Sequence, residues 1–439
     1  MPLGFGTQAF LNESHAYPFA GGYNARVMLG VIDLSPLIDG APGRSRGDLG
    51  LEDFDVTWMD VDCGPSNTPA GRGEVEEYLT AVEWTPSGDC LIVQVQSRSQ
   101  REVRVLRFDS RTGERLGPSP LLVEQREDTW VNLNNMMYVL KDQNNSGCAE
   151  GGHFIWASEK TGFCHLYLHC SVTGRCLNAI TAGTDWCVDE LKGVDEGRGW
   201  VYFTGSKGGP LERHLYRSRL FGGPCDPEQL TTEPGQHSAA LDNGMRRFID
   251  IYDSLEMPPT VVLRALPEGD GHLENPLRRI NVFYSDYFAT ELLKLEPPKL
   301  VEIVAADGST KLHGALYRPN PKDHGPGPYR TLIKVYGGPG VQMVQNSWDL
   351  TADTEAQNFR NQGYLVFMLD NRGSARRGTA FEGTIRHRLG MVEIMDQIAG
   401  VTWLVSRGLA DPERVGIFGW SYGGVTESPF SPLSNSNST

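Results

Sequence analysis

At 439 residues the chain exceeds one ordinary hydrophobic core, so at least two domains are expected. Hydrophobic residues make up 39% and charged residues 22%, a globular balance, while 51 glycines and 27 prolines favour a turn-rich β architecture over a helical one. A net charge of −15 argues against nucleic acid or an anionic membrane as a partner, and no apolar run approaches the ~20 residues of a bilayer-spanning helix.

The N-terminal Met1-Pro2-Leu3-Gly4-Phe5-Gly6 has neither the basic region nor the apolar core of a signal peptide, which favours the cytoplasm. From there to about Glu296, short β-type runs alternate with turn clusters. Residues 78–84 lead into Thr85-Pro86-Ser87-Gly88-Asp89, residues 90–95 and 103–108 follow, and Asp109-Ser110-Arg111-Thr112-Gly113 closes the third run. Strand, turn and strand in this order read as an antiparallel blade. The unit recurs at 154–158 with 165–168, and at 200–204 with 214–217.

His165-Leu166-Tyr167 and His214-Leu215-Tyr216 stand 49 residues apart, matching the ~40–50 residue period of propeller blades. At that period the first 296 residues would hold roughly six blades, so a partial β-propeller is expected over 1–296. The repeated tripeptide reads as structural, with its tyrosine packed between blades; a ligand role for His165 or His214 is the alternative. Glu76-Glu77 could grip a cationic amine, but its place just before a strand suits a solvated edge pair better. All eight cysteines lie between Cys63 and Cys225 without C-x-x-C spacing, which favours reduced thiols buried in strands and no metal site.

At Leu295-Glu296-Pro297-Pro298-Lys299 the pattern changes. Residues 301–305 and 312–317 form a hairpin around Asp307-Gly308. Buried-type strands follow at 331–336 and 364–369, with helix-period segments between and after them. In the later segment Val392, Met395, Ile398, Val401 and Leu404 mark one apolar face, and Gly408 offers a C-cap. Asp411-Pro412 then turns the chain into a strand at 414–418. Strands alternating with helices imply a parallel sheet with crossover connections.

That last strand delivers Gly419-Trp420-Ser421-Tyr422-Gly423-Gly424, a G-x-S-x-G nucleophile elbow in which tight flanking glycines push the serine hydroxyl above the sheet edge. Acyl transfer develops negative charge on a carbonyl oxygen, so donors must already face that position. The Tyr422 N–H is one natural donor. The Tyr336 hydroxyl, in the loop Tyr336-Gly337-Gly338-Pro339-Gly340, is a candidate second; the alternative for Tyr336 is an aromatic that only caps the sheet. The serine also needs a histidine to take its proton and an acid to hold that histidine, both after the serine on this fold. Yet all ten histidines, from His15 to His387, precede Ser421, and Glu427 is the only acid beyond it.

Val335-Tyr336-Gly337-Gly338-Pro339, Leu369-Asp370-Asn371-Arg372-Gly373-Ser374 and the elbow together resemble the dipeptidyl peptidase IV family of prolyl-oligopeptidase-type serine peptidases, most of all its cytosolic branch. Tyr17-Pro18-Phe19-Ala20-Gly21, Trp130-Val131-Asn132-Leu133-Asn134 and Phe248-Ile249-Asp250-Ile251-Tyr252 are similar to landmarks of that family's propeller, so the resemblance covers roughly 15–424. It implies a partial β-propeller over 1–296 and the N-terminal half of an α/β-hydrolase (peptidase) domain over 297–424; the divergent 425–439, with Pro429, Pro432 and a Ser/Asn run where the family has an apolar helix, is expected to be a disordered tail. It implies release of N-terminal X-Pro dipeptides, with Ser421 as nucleophile, Tyr336 and Tyr422 as oxyanion donors, and Gly419, Trp420 and Gly423 shaping the elbow. The implied partners are peptide substrates with proline near the N-terminus, with no cofactor or metal, and a homodimer is compatible with the complete enzyme.

The family's amine-gripping glutamate pair would fall before Met1, and its triad aspartate and histidine lie well after the elbow. The chain therefore reads as truncated at both ends and, as written, inactive. A non-catalytic interaction protein and an acylaminoacyl peptidase or esterase on the same fold are the rival readings; an esterase would more often carry a His-Gly-Gly-Gly loop in place of the Tyr336 loop.

Overall fold

The computed structural model describes residues 27–35, 37, 54–61, 77–118, 120–141, 152–224, 226–267, 277, 279–285 and 295–424. The Tyr17 to Gly21 landmark, Glu76, Cys63, Cys148, Cys225 and the 425–439 tail lie outside them. The chain divides into two compact units, Met1–Val123 and Glu124–Thr439.

In the first unit, Leu29–Ile32 pairs antiparallel with Val56–Met59. Glu77–Trp84, Cys90–Ser97 and Glu102–Asp109 form an antiparallel meander that Leu122–Gln125 completes as a four-stranded sheet. Its first turn closes as the sequence suggests: the Thr85 hydroxyl donates to Asp89 at 2.9 Å, and Gly88 takes the left-handed conformation (φ 74°) that its position demands. Met59, Leu91, Val93, Val95, Leu106 and Phe108 make the core of this unit.

The second unit opens with three four-stranded antiparallel sheets, each built from consecutive strands. They comprise Tyr138–Val139, His153–Ser158, His165–Cys170 and Cys176–Ala179; then Val188–Asp195, Trp200–Gly205, His214–Arg219 and Glu228–Gln229; then Gln236–Leu241, Arg247–Asp253, Thr260–Ala265 and Arg279–Ser285. Their first strands begin 50 and 48 residues apart, the spacing of blades. Against an expectation of roughly six blades, the described residues carry these three sheets, the four-stranded sheet of the meander and the two-stranded ladder. Outer strands of two residues, such as Tyr138–Val139 and Glu228–Gln229, are too short to leave a period-2 pattern.

The His-Leu-Tyr repeat is structural. The His165 ring pairs with the Thr181 hydroxyl at 3.1 Å, and that hydroxyl accepts the Leu166 N–H at 3.0 Å. His214, Leu215 and Thr231 repeat the arrangement at 3.2 and 3.0 Å. Each buried imidazole is therefore satisfied by the threonine that follows its strand. Tyr216 packs with Trp186 and Phe203 in the core shared by the first two sheets, whereas the Tyr167 ring lies under the Lys160 ammonium. Cys164, Cys170 and Cys187 are buried as expected, whereas Cys90 is half-buried and Cys176 exposed; Cys90, Cys164, Cys176 and Cys187 are free thiols.

After residue 295 the architecture changes to a mixed sheet of β1 (Lys299–Val304), β2 (Lys311–Tyr317), β3 (Tyr329–Val335), β4 (Leu365–Asp370) and β5 (Ala410–Gly419), in the order β1-β2-β4-β3-β5. β1 and β2 form the hairpin, whose Asp307 carboxyl accepts the Ser309 and Thr310 N–H groups. β3 runs parallel to both neighbours, and every residue of β4 is buried, as befits a strand covered on both faces. Helix α1 (Thr354–Asn361), N-capped by Asp353, connects β3 to β4. Helix α2 (Val392–Ser406) connects β4 to β5 and ends with Gly408 at φ 67°.

The apolar face expected of α2 is only partly the buried one. Met395 and Ile398 are exposed; Glu393, Asp396, Gln397, Gly400 and Leu404 face the protein. Gly400 sits there because an added Cβ would lie 2.9 Å from the Leu369 side chain of β4. The polar members of this face reach loops at the carboxyl end of the sheet.

Candidate active site

The parallel register sets the site. Val335 at the end of β3 pairs with Gly419 at the end of β5, so Tyr336 and the elbow leave neighbouring strand ends. Ser421 adopts φ 58°, a left-handed conformation costing a non-glycine residue about 1–2 kcal/mol. The turn is closed by Gly423 N–H to the Trp420 carbonyl (2.9 Å) and Gly424 N–H to the Ser421 carbonyl (3.1 Å). A Cβ on Gly419 would lie 2.5 Å from the Val335 carbonyl oxygen, and one on Gly423 would lie 2.3 Å from it. Only glycine lets the elbow press this closely on β3, and the exposed Ser421 is the result. The Trp420 side chain is 88% exposed, so its part in the turn is made through the backbone.

The Tyr336 loop converges on the same place. Gly337 takes φ 76°, and its carbonyl accepts the Asn371 side-chain amide at 3.0 Å. A Cβ on Gly338 would lie 2.7 Å from the Tyr422 ring and 3.1 Å from the Tyr336 ring; the glycine lets those rings approach to 6.1 Å between centroids. The Tyr422 hydroxyl donates to Glu393 Oε1 at 2.5 Å. Burial, then the hydrogen bond to Glu393 and its charge, then Tyr336 raise the Tyr422 phenol well above its ordinary range, so it stays a donor at neutral pH.

The structure thus brings together Ser421, Tyr422, Tyr336, Gly419 and Gly423. Among the described residues no side chain hydrogen-bonds to the Ser421 hydroxyl, and the histidines His165, His214, His237 and His324 are engaged elsewhere.

Sequence reasoning missed the supporting polar residues. Gln397 donates to the Asn371 side-chain oxygen and the Leu369 carbonyl, both at 3.0 Å, which orients Asn371 toward the Tyr336 loop. Asp396 takes Arg372 Nε and Nη2 at 2.9 Å each, together with the Arg372 and Ala306 N–H groups. Glu393, Asp396 and Gln397 stand at i, i+3 and i+4, the spacing of one helix face, and that spacing was the available signal. Asp370, at the end of β4, accepts the Met343 and Val344 N–H groups at 2.9 Å, while burial pushes its carboxyl up to about 7.

The blades contact this domain through a second carboxyl cluster. Asn132 donates to Glu382 Oε2 at 2.7 Å and to both Glu159 oxygens at 3.3 and 3.1 Å. Burial first, then the Glu382 carboxyl, push Glu159 up to about 7. Arg376 joins Asp189 at 3.1 Å, and Asn346 donates to Glu212 at 2.8 Å.

Antiparallel blades joined to a serine elbow at the carboxyl end of a mixed α/β sheet define a propeller-bearing protein of the α/β-hydrolase class. Residues 7–259 match the dipeptidyl peptidase IV N-terminal region, and residues 350–428 match the prolyl oligopeptidase family. The chain belongs to the dipeptidyl peptidase IV family. Human dipeptidyl peptidase 8 is 33% identical over 94% of this chain and 48% of its own length, and the mouse protein of that name is 32% identical over 79% and 43%. Dipeptidyl peptidase 4 of Trichophyton equinum is 27% identical over 80% of this chain and 43% of its own. A crystal structure of a protein from Bacteroides ovatus, assigned as a dipeptidyl aminopeptidase IV, shares the fold with a TM-score of 0.69, at 24% identity over 85% of this chain and 51% of that one. The chain spans less than half the length of these curated relatives. No helix among the described residues is long and apolar enough to cross a membrane.

Proposed function

We propose that this chain carries the nucleophile and oxyanion donors of a serine peptidase that releases N-terminal dipeptides, preferentially with proline second, from peptide substrates. The observation that carries the reading is Ser421 held at φ 58° by Gly419 and Gly423, beside the converging Tyr336 and Tyr422. The Ser421 hydroxyl attacks the carbonyl carbon of the second residue, giving up its proton to a histidine base that the family places after the elbow. The tetrahedral oxyanion is met by the Tyr422 N–H and the Tyr336 hydroxyl. Collapse expels the shortened peptide as an amine that takes the proton held by that histidine, and water then releases the dipeptide from its ester with Ser421.

Residues 1–296 are the propeller portion in this reading, 297–424 the first part of the peptidase domain. The cytoplasm suits the free thiols, and a homodimer is the assembly that sedimentation of the complete protein would test. For the activity, peptides beginning Xaa-Pro are incubated with the complete protein and the products weighed by mass spectrometry. Dipeptide release that stops when the peptide's N-terminus is acetylated supports the reading; equal cleavage of the blocked peptide or of simple esters contradicts it.

A further inference from the structure

The Glu393 carboxyl, in the first turn of α2, is fully buried. Its Oε1 takes the Tyr422 hydroxyl at 2.5 Å and the Gly390 N–H at 3.2 Å, while Oε2 is buried without a hydrogen-bond partner among the described residues. Burying a carboxyl with one oxygen unsatisfied is costly, and a leucine would fill a helix–sheet contact at less expense. What the carboxyl does achieve is to fix the far end of the residue that follows the strained serine. A left-handed non-glycine conformation persists only where its surroundings over-determine it. Tyr422 is held at its hydroxyl by Glu393, 29 residues away in sequence, and at its ring by Tyr336 and Gly338. Its backbone N–H then has little freedom to turn, and Tyr336 is held against the same ring.

We propose that Glu393 is a positioning residue for the oxyanion hole, acting through the Tyr422 hydroxyl to aim the Tyr422 N–H and the Tyr336 hydroxyl at the developing charge. This rests on the reading of Ser421 as nucleophile. A misaimed donor weakens binding of the transition state and leaves ground-state binding unaltered, so the effect belongs in kcat.

The test is a double-mutant cycle in the complete protein with Glu393→Leu, Tyr422→Phe and both together. Two readouts are taken: the rate at which a fluorophosphonate probe modifies Ser421, and kcat and KM for Xaa-Pro amides. Each single substitution is expected to slow both rates by about 10- to 100-fold with KM within about twofold. The double variant is expected to be no slower than the worse single one, because both remove the same link. Glu393→Gln, which keeps an acceptor, is expected to recover most of the rate and guards against misfolding of the leucine variant. Additive losses, a rise in KM at constant kcat, or a slow Glu393→Leu beside a normal Tyr422→Phe would each overturn the proposal. A parent protein labelled at Ser421 yet inert toward Xaa-Pro amides overturns the dipeptidyl peptidase reading alone, and the labelling rates still decide the clamp. No labelling of Ser421 in the parent overturns both.

Discussion

At the residue scale, two oxygen atoms set the site: the Val335 carbonyl oxygen and the Tyr336 hydroxyl. The Val335 carbonyl oxygen leaves no room for a Cβ on Gly423 (2.3 Å) or Gly419 (2.5 Å), and being backbone it has nowhere to move. Gly423→Ala is therefore expected to destabilise the protein by about 1–3 kcal/mol or more and to displace Ser421; a denaturation midpoint unchanged from the parent would contradict this. For Tyr336, removal of the hydroxyl alone separates chemistry from packing. Tyr336→Phe is expected to lower kcat on the order of 100-fold with little change in KM, since the ring contact with Tyr422 survives. An unchanged kcat would make Tyr336 a capping aromatic. The glycines and the serine were legible in the sequence because the elbow demands those residue types at that spacing. Glu393 was not singled out, because its i, i+3, i+4 spacing with Asp396 and Gln397 marks one helix face without telling whether that face is buried or solvated.

At the scale of elements, the strands announced themselves: the runs at 90–95, 103–108, 154–158, 200–204 and 312–317 all fall inside strands of the structure. Their β-branched and aromatic residues lie between turn residues with a mechanism of their own. Helix α2 shows the limit. Counting apolar residues selected Val392, Met395, Ile398, Val401 and Leu404, of which Leu404 is buried and Met395 and Ile398 are exposed; the side facing the protein also carries Glu393, Asp396 and Gln397, whose partners are loops far off in sequence. Polar residues are buried here because each meets a partner, and partners cannot be read from periodicity. Asp396 is the strongest of these anchors, fully buried and bidentate to Arg372. Asp396→Ala is expected to cost about 1–3 kcal/mol, because it removes the bidentate bonds to Arg372 while Arg372 keeps Asp307 at 3.0 Å. Urea unfolding checks it, and a loss below about 1 kcal/mol would show that the pair is not what holds α2 in place.

For the whole molecule, the contacts between the blades and the mixed sheet were invisible in the sequence. Asn132 and Glu382, for instance, lie 250 residues apart. That junction should make stability depend on pH. Glu159 faces Glu382, Glu124 and Arg126, and its carboxyl rises in the folded state to about 7 from the usual 4.5. Folding thus favours the protonated form. The stabilisation is fully present below about pH 4.5 and is lost as the pH climbs through about 7. Glu159→Gln should remove that loss, making the variant more stable than the parent by on the order of 1–3 kcal/mol at pH 8 and much closer to it at pH 5. Melting curves across that range would refute the idea if the difference were independent of pH. The central claim, that the elbow serine forms the acyl-enzyme of a dipeptidyl peptidase, is tested most directly by acid-quenching the complete protein during turnover of an Xaa-Pro ester and mapping the adduct by mass spectrometry. The account predicts the Xaa-Pro acyl mass on the peptide containing Ser421 and its absence in Ser421→Ala. An adduct on another residue, or turnover that survives Ser421→Ala, would contradict it.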